Sequence, residues 1–187
     1  MDFFPSSQRG KYPTTGARNA DCLQVQLAIV SDTHLPRGKR RLPDACVQML
    51  RTADLILHAG DWSTVDVLRL FEALGPPVAA VYGNVDAPDV RGLLPATRIV
   101  EAAGARIAMV HDAGPAKGRL ARMRRRFPDA DAVVFGHSHI PLHERADDGF
   151  QIFNPGSPTD RRRQLRHTMG LARVRAPAKI DFELVVL

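Results

Sequence analysis

Leu27-Ala28-Ile29-Val30-Ser31-Asp32-Thr33-His34 is the stretch on which the reading of this chain turns. Its apolar part is too short for a helix and runs directly into an Asp and a His, so it reads as a buried strand ending in a polar loop. Four other segments share this form: residues 55–57 lead to Asp61, 78–82 to Asn84, 107–110 to His111 and 132–135 to His137 and His139. If such strands run parallel in one sheet, all five polar groups leave it along the same carboxyl edge, where open α/β sheets bind ligands. Seven potential metal ligands distant in sequence would then meet at one point.

With 187 residues, the chain suits one domain with a real core. Hydrophobic residues at 44% and charged ones at 25% are ordinary for a globular protein. No apolar run reaches the length of a membrane span, and the amino terminus lacks a basic start followed by an apolar block, so a cytoplasmic location is the default expectation. Cys22 and Cys46 indicate neither a disulfide framework nor a thiolate metal site.

The net charge of +6 would suit a nucleic-acid binder, which makes its location important. Much of it falls in residues 117–126 and in Arg161, Arg162, Arg163 and Arg166. Leu120, Met123 and Phe127 share one helical stripe while Arg119, Arg122 and Arg126 share another, so a surface helix with a basic, solvated outer face is expected in preference to a nucleic-acid groove.

Residues 1–21 lack a periodic apolar pattern and read as a flexible extension before a domain at 22–187. Helices are expected around 43–52, with Pro43 in the first turn, 64–73 and 117–127. From about Ala96 onward strands dominate: a hairpin of 97–101 with 106–110, then 141–145, 150–153, and a closing hairpin of 169–174 with 180–187. Such a strand-rich second half does not fit a purely doubly wound sheet. The expected class is α/β, a two-sheet β-sandwich flanked by helices.

In order, the motifs are Asp32-Thr33-His34, Gly60-Asp61, Gly83-Asn84-Val85-Asp86, His111, Gly136-His137-Ser138-His139 and Asn154-Pro155-Gly156-Ser157. The series resembles the calcineurin-like metallophosphoesterases, especially their small bacterial and archaeal phosphodiesterases. The resemblance implies one metal held by Asp32, His34, Asp61 and His139 and a second by Asp61, Asn84, His111 and His137, with Asp61 as bridge. Asp61, Asn84 and His111 are the candidate catalytic residues among them. The two ions that the resemblance implies would be divalent first-row metals, manganese first, with Fe, Co, Ni or Zn as alternatives, and imidazole, carboxylate and amide oxygen suit such metals. Only Asp32 and Asp61 bring negative charge, so two such ions leave about two positive units, which favours an anionic phosphate substrate. A water or hydroxide shared between the ions would attack phosphorus in line, with no Ser or Cys nucleophile. Gly60, Gly83 and Gly136 would turn the backbone and allow close approach to the ions.

Two departures from the family pattern bear on catalysis. Many relatives carry a histidine after the asparagine of the third motif, assigned to leaving-group protonation; here Val85 stands there. Activity should then favour leaving groups that depart without a proton. Many also read His-Gly-His where this chain has His111-Asp112-Ala113. Asp112 either orients a ligand or begins the Gly114-Pro115 turn. Asp86 either holds the Asn84 loop or caps a turn. His58 reads as a residue that orients ligands from behind or packs in the core rather than as a ligand, and His143 and His167 as surface residues. Trp62 and Tyr82 read as core rather than pocket lining. The Asn154 to Ser157 turn should support the His137 and His139 loop from behind. Arg161 and its neighbours either border the site or form an exposed charged loop, the latter slightly preferred.

The reading that results is a binuclear metal-dependent phosphoesterase acting on a small phosphodiester or an activated phosphomonoester. Its rivals are a protein-binding scaffold of the same fold, as in a retromer subunit, and a nuclease or nucleic-acid binder. A membrane partner is not expected. The sequence leaves substrate, metal and oligomeric state open.

Overall fold

The computed structural model describes residues 24–36 and 38–187. The extension expected over 1–21, and Cys22, lie outside the described residues. Ten strands and four helices follow one another as β1 (Gln24–Val30), α1 (Asp44–Thr52), β2 (Leu55–His58), α2 (Val65–Glu72), β3 (Val78–Ala80), α3 (Pro88–Leu93), β4 (Thr97–Ala102), β5 (Ala105–Val110), α4 (Arg119–Arg126), β6 (Ala132–Val134), β7 (Leu142–Arg145), β8 (Gln151–Asn154), β9 (Thr168–Arg175) and β10 (Lys179–Val186).

The strands form two five-stranded sheets, ordered β10-β9-β1-β2-β3 and β4-β5-β6-β8-β7. In the first, β1, β2 and β3 run parallel, with β9 antiparallel to β1. In the second, β5, β6 and β8 run parallel, with β4 and β7 antiparallel at the edges. The five ligand-bearing strands are thus divided three and two between the sheets, and do not share a single sheet.

Alternation along β1 shows how the layers arise. Leu27 and Ile29 point between the sheets, where they pack with Leu57, Val81, Ile107, Met109, Val134 and Phe153. Ala28 and Val30 point outward against Cys46 and Leu50 of α1 and Val67 and Phe71 of α2. On the far side, Ala108, Val110, Val133 and Ile152 pack against Met123 of α4. Period two in the strands and the apolar stripe on each helix therefore generate four layers, helix, sheet, sheet and helix. Apolar burial in these three clusters supplies the main stabilisation, about 25 cal/mol per Å² removed from water.

The sequence pattern and the structure differ in places. Pro43 precedes α1 as its cap residue instead of lying in its first turn. Helix α3, six residues with Gly92 inside, carries too short a pattern to be read. Helix α4 buries Met123 as expected, but its arginines do not simply face solvent. Arg119 donates to Gly114 O at 2.9 Å, Arg122 to Ala113 O at 2.8 Å, and Arg124 to Pro128 O at 2.7 Å. Long guanidinium side chains fold back onto carbonyls that a short loop leaves unpaired. Among the described residues, no helix is long and apolar enough to cross a membrane.

Candidate metal centre

Five loops, each leaving the carboxyl end of a parallel strand, bring the seven polar residues into one cluster. After β1, His34 Nε2 lies 3.2 Å from His139 Nε2, which follows β6. Asp32 Oδ1 is 3.2 Å from the same His139 Nε2. After β5, His111 Nε2 lies 3.0 Å from Asn84 Oδ1, and that oxygen is 2.8 Å from His137 Nδ1. Asp61, after β2, joins the two halves: its Oδ2 is 3.7 Å from His34 Nε2 and 3.3 Å from His111 Nε2. Asp32, His34 and His139 offer ligand atoms all within 4.8 Å of one another, as do Asp32, Asp61 and His111.

Hydrogen bonding shows what the cluster can hold. His111 Nδ1 is 2.8 Å from Ala59 O, and His139 Nδ1 is 2.5 Å from Asp160 O. A carbonyl cannot donate, so both Nδ1 atoms carry a proton, and in the neutral ring each Nε2 presents a lone pair inward. Those lone pairs face carboxylate oxygens, an amide oxygen and another ring nitrogen. Asp32 Oδ1, fully buried, has no hydrogen-bond partner. Buried acceptors that face each other are stabilised by a shared proton, as between His111 and Asp61, or by a cation, and this mixture of nitrogen and oxygen ligand atoms fits borderline divalent ions.

The electrostatics follow from the same arrangement. Burial opposes charge on His111, but the Asp61 hydrogen bond and the nearby Asp32 and Asp61 carboxylates outweigh it and raise its pKa. Burial likewise opposes charge on Asp61, yet His111 and the Val85 amide hold its carboxyl below the ordinary value. For His34, burial prevails over the pull of Asp61 and Asp32, and its pKa falls.

Backbone conformation is unusual at these residues. Asp32, His34, Asp61, His137 and His139 all have positive φ, between 46° and 68°. Such left-handed conformations are uncommon for residues with a Cβ, although Asp and His are among those that tolerate them, and they gather at functional sites. They turn each side chain back toward the common point. Gly60, at φ 96°, turns the backbone as expected, whereas Gly83 and Gly136 act by size: a methyl group at Gly83 would overlap Asp61 Oδ1, and one at Gly136 would overlap Ser31 Oγ and crowd Asp32. They make room for the carboxylates themselves.

Around this cluster, Asp86 accepts the backbone N–H groups of Gly83 at 2.7 Å, Ser63 at 2.7 Å and Asp61 at 3.2 Å. Of its two sequence readings, it is therefore the tie between the Asp61 and Asn84 loops. His58 is fully buried and stacks on Trp62 with ring centroids 3.4 Å apart. Its Nδ1 accepts the Gly60 N–H and its Nε2 lies 3.1 Å from Thr33 Oγ1, so it packs beneath the ligand loops. Burial pushes its pKa well below the usual range, which keeps it neutral. Trp62 is core and donates to Val81 O at 3.1 Å.

The turn after β8 braces the site from behind. Asn154 Nδ2 donates to Gly136 O at 2.8 Å and Ser157 Oγ to Asp32 O at 2.8 Å. Asp112 is exposed and accepts the Gly114 N–H at 2.7 Å; that bond belongs to its turn reading. Arg161 is exposed and donates to Gln164 O at 2.6 Å, within its own loop.

Four supporting residues escaped the sequence reading. Thr159 donates to Thr33 O at 2.5 Å, and Asp160 orients His139 through its carbonyl while its carboxylate pairs with Arg40 at 2.9 Å. Arg91 of α3 donates to Asn84 O at 2.6 Å and Asp86 O at 2.9 Å. Only the unread helix, one turn beyond Asp86, could have pointed to Arg91.

Comparison with known proteins agrees with this geometry. The family model of the calcineurin-like phosphoesterase superfamily domain matches residues 25–176. A probable metallophosphoesterase of Methanothermobacter thermautotrophicus is 34% identical over 136 residues, covering 71% of this chain and 77% of its own length. Among solved structures, Vacuolar Protein Sorting 29 of Cryptosporidium parvum aligns with a TM-score of 0.71 at 19% identity, covering 88% of this chain and 98% of its own. A structure described as a novel archaeal phosphodiesterase aligns with a TM-score of 0.63 at 21% identity, covering 87% and 99%. At those identities the two structures speak for the fold. The family match spans most of the described domain and includes every strand-end group of the site: the chain belongs to the calcineurin-like phosphoesterase superfamily.

Proposed function

We propose that this protein is a binuclear metal-dependent phosphoesterase that hydrolyses phosphodiesters or activated phosphomonoesters. The observation that carries this reading is the position of Asp61 Oδ2, 3.7 Å from His34 Nε2 and 3.3 Å from His111 Nε2, between two sets of inward-facing acceptors. Asp32, His34, Asp61 and His139 would hold one ion, and Asp61, Asn84, His111 and His137 the other. Manganese leads among the candidate ions. Bound divalent ions supply an acidified water and positive charge for phosphoryl oxygens.

The chain's own residues supply geometry. Asp86 and Arg91 fix the loop that presents Asn84, Asp160 fixes the ring plane of His139, and His58 and Thr33 hold the Asp32 and Asp61 loops together. Asn84 is exposed, as is Val85 beside it, so substrate would approach from that side. Val85 cannot protonate a leaving oxygen.

The rival readings lack a comparable observation. In a scaffold the same ligand atoms would hold a metal without turnover, which the ester assay below distinguishes. A nucleic-acid track along α4 would have to release Arg119, Arg122 and Arg124 from the carbonyls they hold.

The test is to strip the protein with chelator, reload it with Mn, Fe, Co, Ni or Zn, and assay aryl phosphodiesters, aryl phosphomonoesters, cyclic nucleotides and polynucleotide. The expected result is about two ions per chain and metal-dependent cleavage of aryl diesters. One ion per chain, or two ions with no turnover on any ester, would defeat the proposal.

A further inference from the structure

Two separate sets of contacts brace the metal centre. Asn84, which would serve the second ion, is presented by a loop that Asp86 and Arg91 tie down. The residues that would serve the first ion rest on one short turn after β8. There Ser157 Oγ donates to Asp32 O at 2.8 Å, Thr159 Oγ1 donates to Thr33 O at 2.5 Å, and Asp160 O accepts from His139 Nδ1 at 2.5 Å. Asp32, the backbone leading to His34, and the ring of His139 therefore keep their relative places only while residues 157–160 keep theirs.

That turn is held from within and from outside. Within it, the Asp160 N–H donates to Ser157 Oγ at 2.8 Å. From outside, Arg40 Nη2 lies 2.9 Å from Asp160 Oδ2, with the two side chains 27% and 18% exposed. The other arginine–aspartate pairs among the described residues, Arg69 with Asp66, Arg106 with Asp129, Arg124 with Asp148 and Arg175 with Asp181, are all more open to solvent. An exposed pair holds little, whereas a shielded one at short range fixes both side chains. Arg40 belongs to the connection from β1 to α1, so the segment that carries Asp32 and His34 returns to clamp the turn on which they and His139 rest. Among the described residues, neither Arg40 nor residues 157–160 bond to Asn84, His111 or His137, whose partners lie elsewhere.

On the two-ion reading above, we infer that Arg40 is a positioning residue for the first ion in preference to the second. Acting through Asp160, it fixes the ring of His139 and the Asp32 backbone, and with them the affinity for the ion that Asp32, His34, Asp61 and His139 would hold. The sign of its effect separates position from charge. Taking a cation away from the neighbourhood of a metal site favours the metal by Coulomb attraction. Loss of position does the reverse, because an unclamped Asp160 lets its carbonyl shift and the His139 ring turn. Removing partners that orient ligands costs roughly 10–100-fold in metal affinity, and Arg40, one contact further out, belongs at the lower end.

The experiment titrates zinc into the metal-free full chain and follows the imidazole nitrogen resonances, which report His34 and His139 separately from His111 and His137. In Arg40→Gln the ion at His34 and His139 should bind roughly 10-fold more weakly, with the other little changed. Arg40→Lys, which restores a cation opposite Asp160, should recover most of that loss. Asp160→Asn keeps the carbonyl and removes the other half of the pair, so adding Arg40→Gln to it should weaken the ion no further. Without metal, the His139 Nδ1 proton should exchange with solvent faster in Arg40→Gln than in the parent, and that of His111 should not. Unchanged or tighter zinc at His34 and His139, equal losses at both ions, no recovery with lysine, or additive losses in the double variant would overturn the inference and leave the two-ion reading standing. A parent chain that takes up only one zinc would overturn both.

Discussion

The amide of Val85 donates to Oδ1 of Asp61 over 3.0 Å, which leaves Oδ2 of the same carboxylate facing His34 and His111. One oxygen is fixed by the Asn84 loop and the other is offered to both halves of the cluster. Asp61→Asn keeps the size of the side chain but removes the charge that two cations would share. Metal content measured by elemental analysis should fall, and turnover should drop by more than the ~10–100-fold typical of residues that only support ligands. Full loading with full turnover in this variant would contradict the shared role.

Asp86 holds three backbone N–H groups, those of Asp61 and Gly83 in buried bonds and that of Ser63 in a partly buried one. Removing it in Asp86→Ala leaves these donors unpaired at a cost of about 1–3 kcal/mol. It also frees the Asn84 loop, so metal affinity should weaken by roughly 10–100-fold. Denaturant unfolding and competition with a metal-binding dye measure the two effects separately. A loss of stability with no loss of metal affinity would restrict Asp86 to a structural part.

Val85 stands beside Asn84 with its side chain 47% exposed and offers no proton. Cleavage rates should therefore depend steeply on leaving-group pKa, with aryl esters fast and alkyl esters slow. Val85→His should selectively help the poorer leaving groups if its ring reaches the leaving oxygen. A flat series of graded esters, with chemistry shown to limit the rate, would indicate another proton donor.

Burial would raise the Asp160 carboxyl, but Arg40 beside it prevails and holds its pKa below the ordinary value. A carboxylate depressed in the folded state stabilises the fold above its unfolded pKa of about 4 and loses that contribution as pH falls through the folded value. Arg40→Gln removes the cause of the depression. In chelator, the stability of the parent protein should drop more than that of the variant between about pH 5 and pH 2. Parallel curves from urea titrations across that range would show that the pair contributes nothing to acid sensitivity.

Local order made much of this protein legible. Short apolar runs ending in Asp32, Asp61, Asn84, His111 and His137 identify strand ends, because strand period and turn residues are properties of neighbours in sequence. The strand-rich second half likewise points to a sandwich, since hairpins such as β4 with β5 are local. What sequence cannot contain is the meeting of distant groups. Ser157 reaches the carbonyl of Asp32, 125 residues away, and Asp86 reaches the amide of Asp61, 25 residues away, through loop positions that no periodicity marks. The division of the five strands between two sheets, the positive φ at Asp32, His34, Asp61, His137 and His139, and the ties made by Arg40, Arg91, Thr159 and Asp160 are of this kind. Residue types and spacing determined which ligand chemistry was on offer; only packing of the two sheets, which sets the distances among loops remote in sequence, decided that Asp61 stands between His34 and His111.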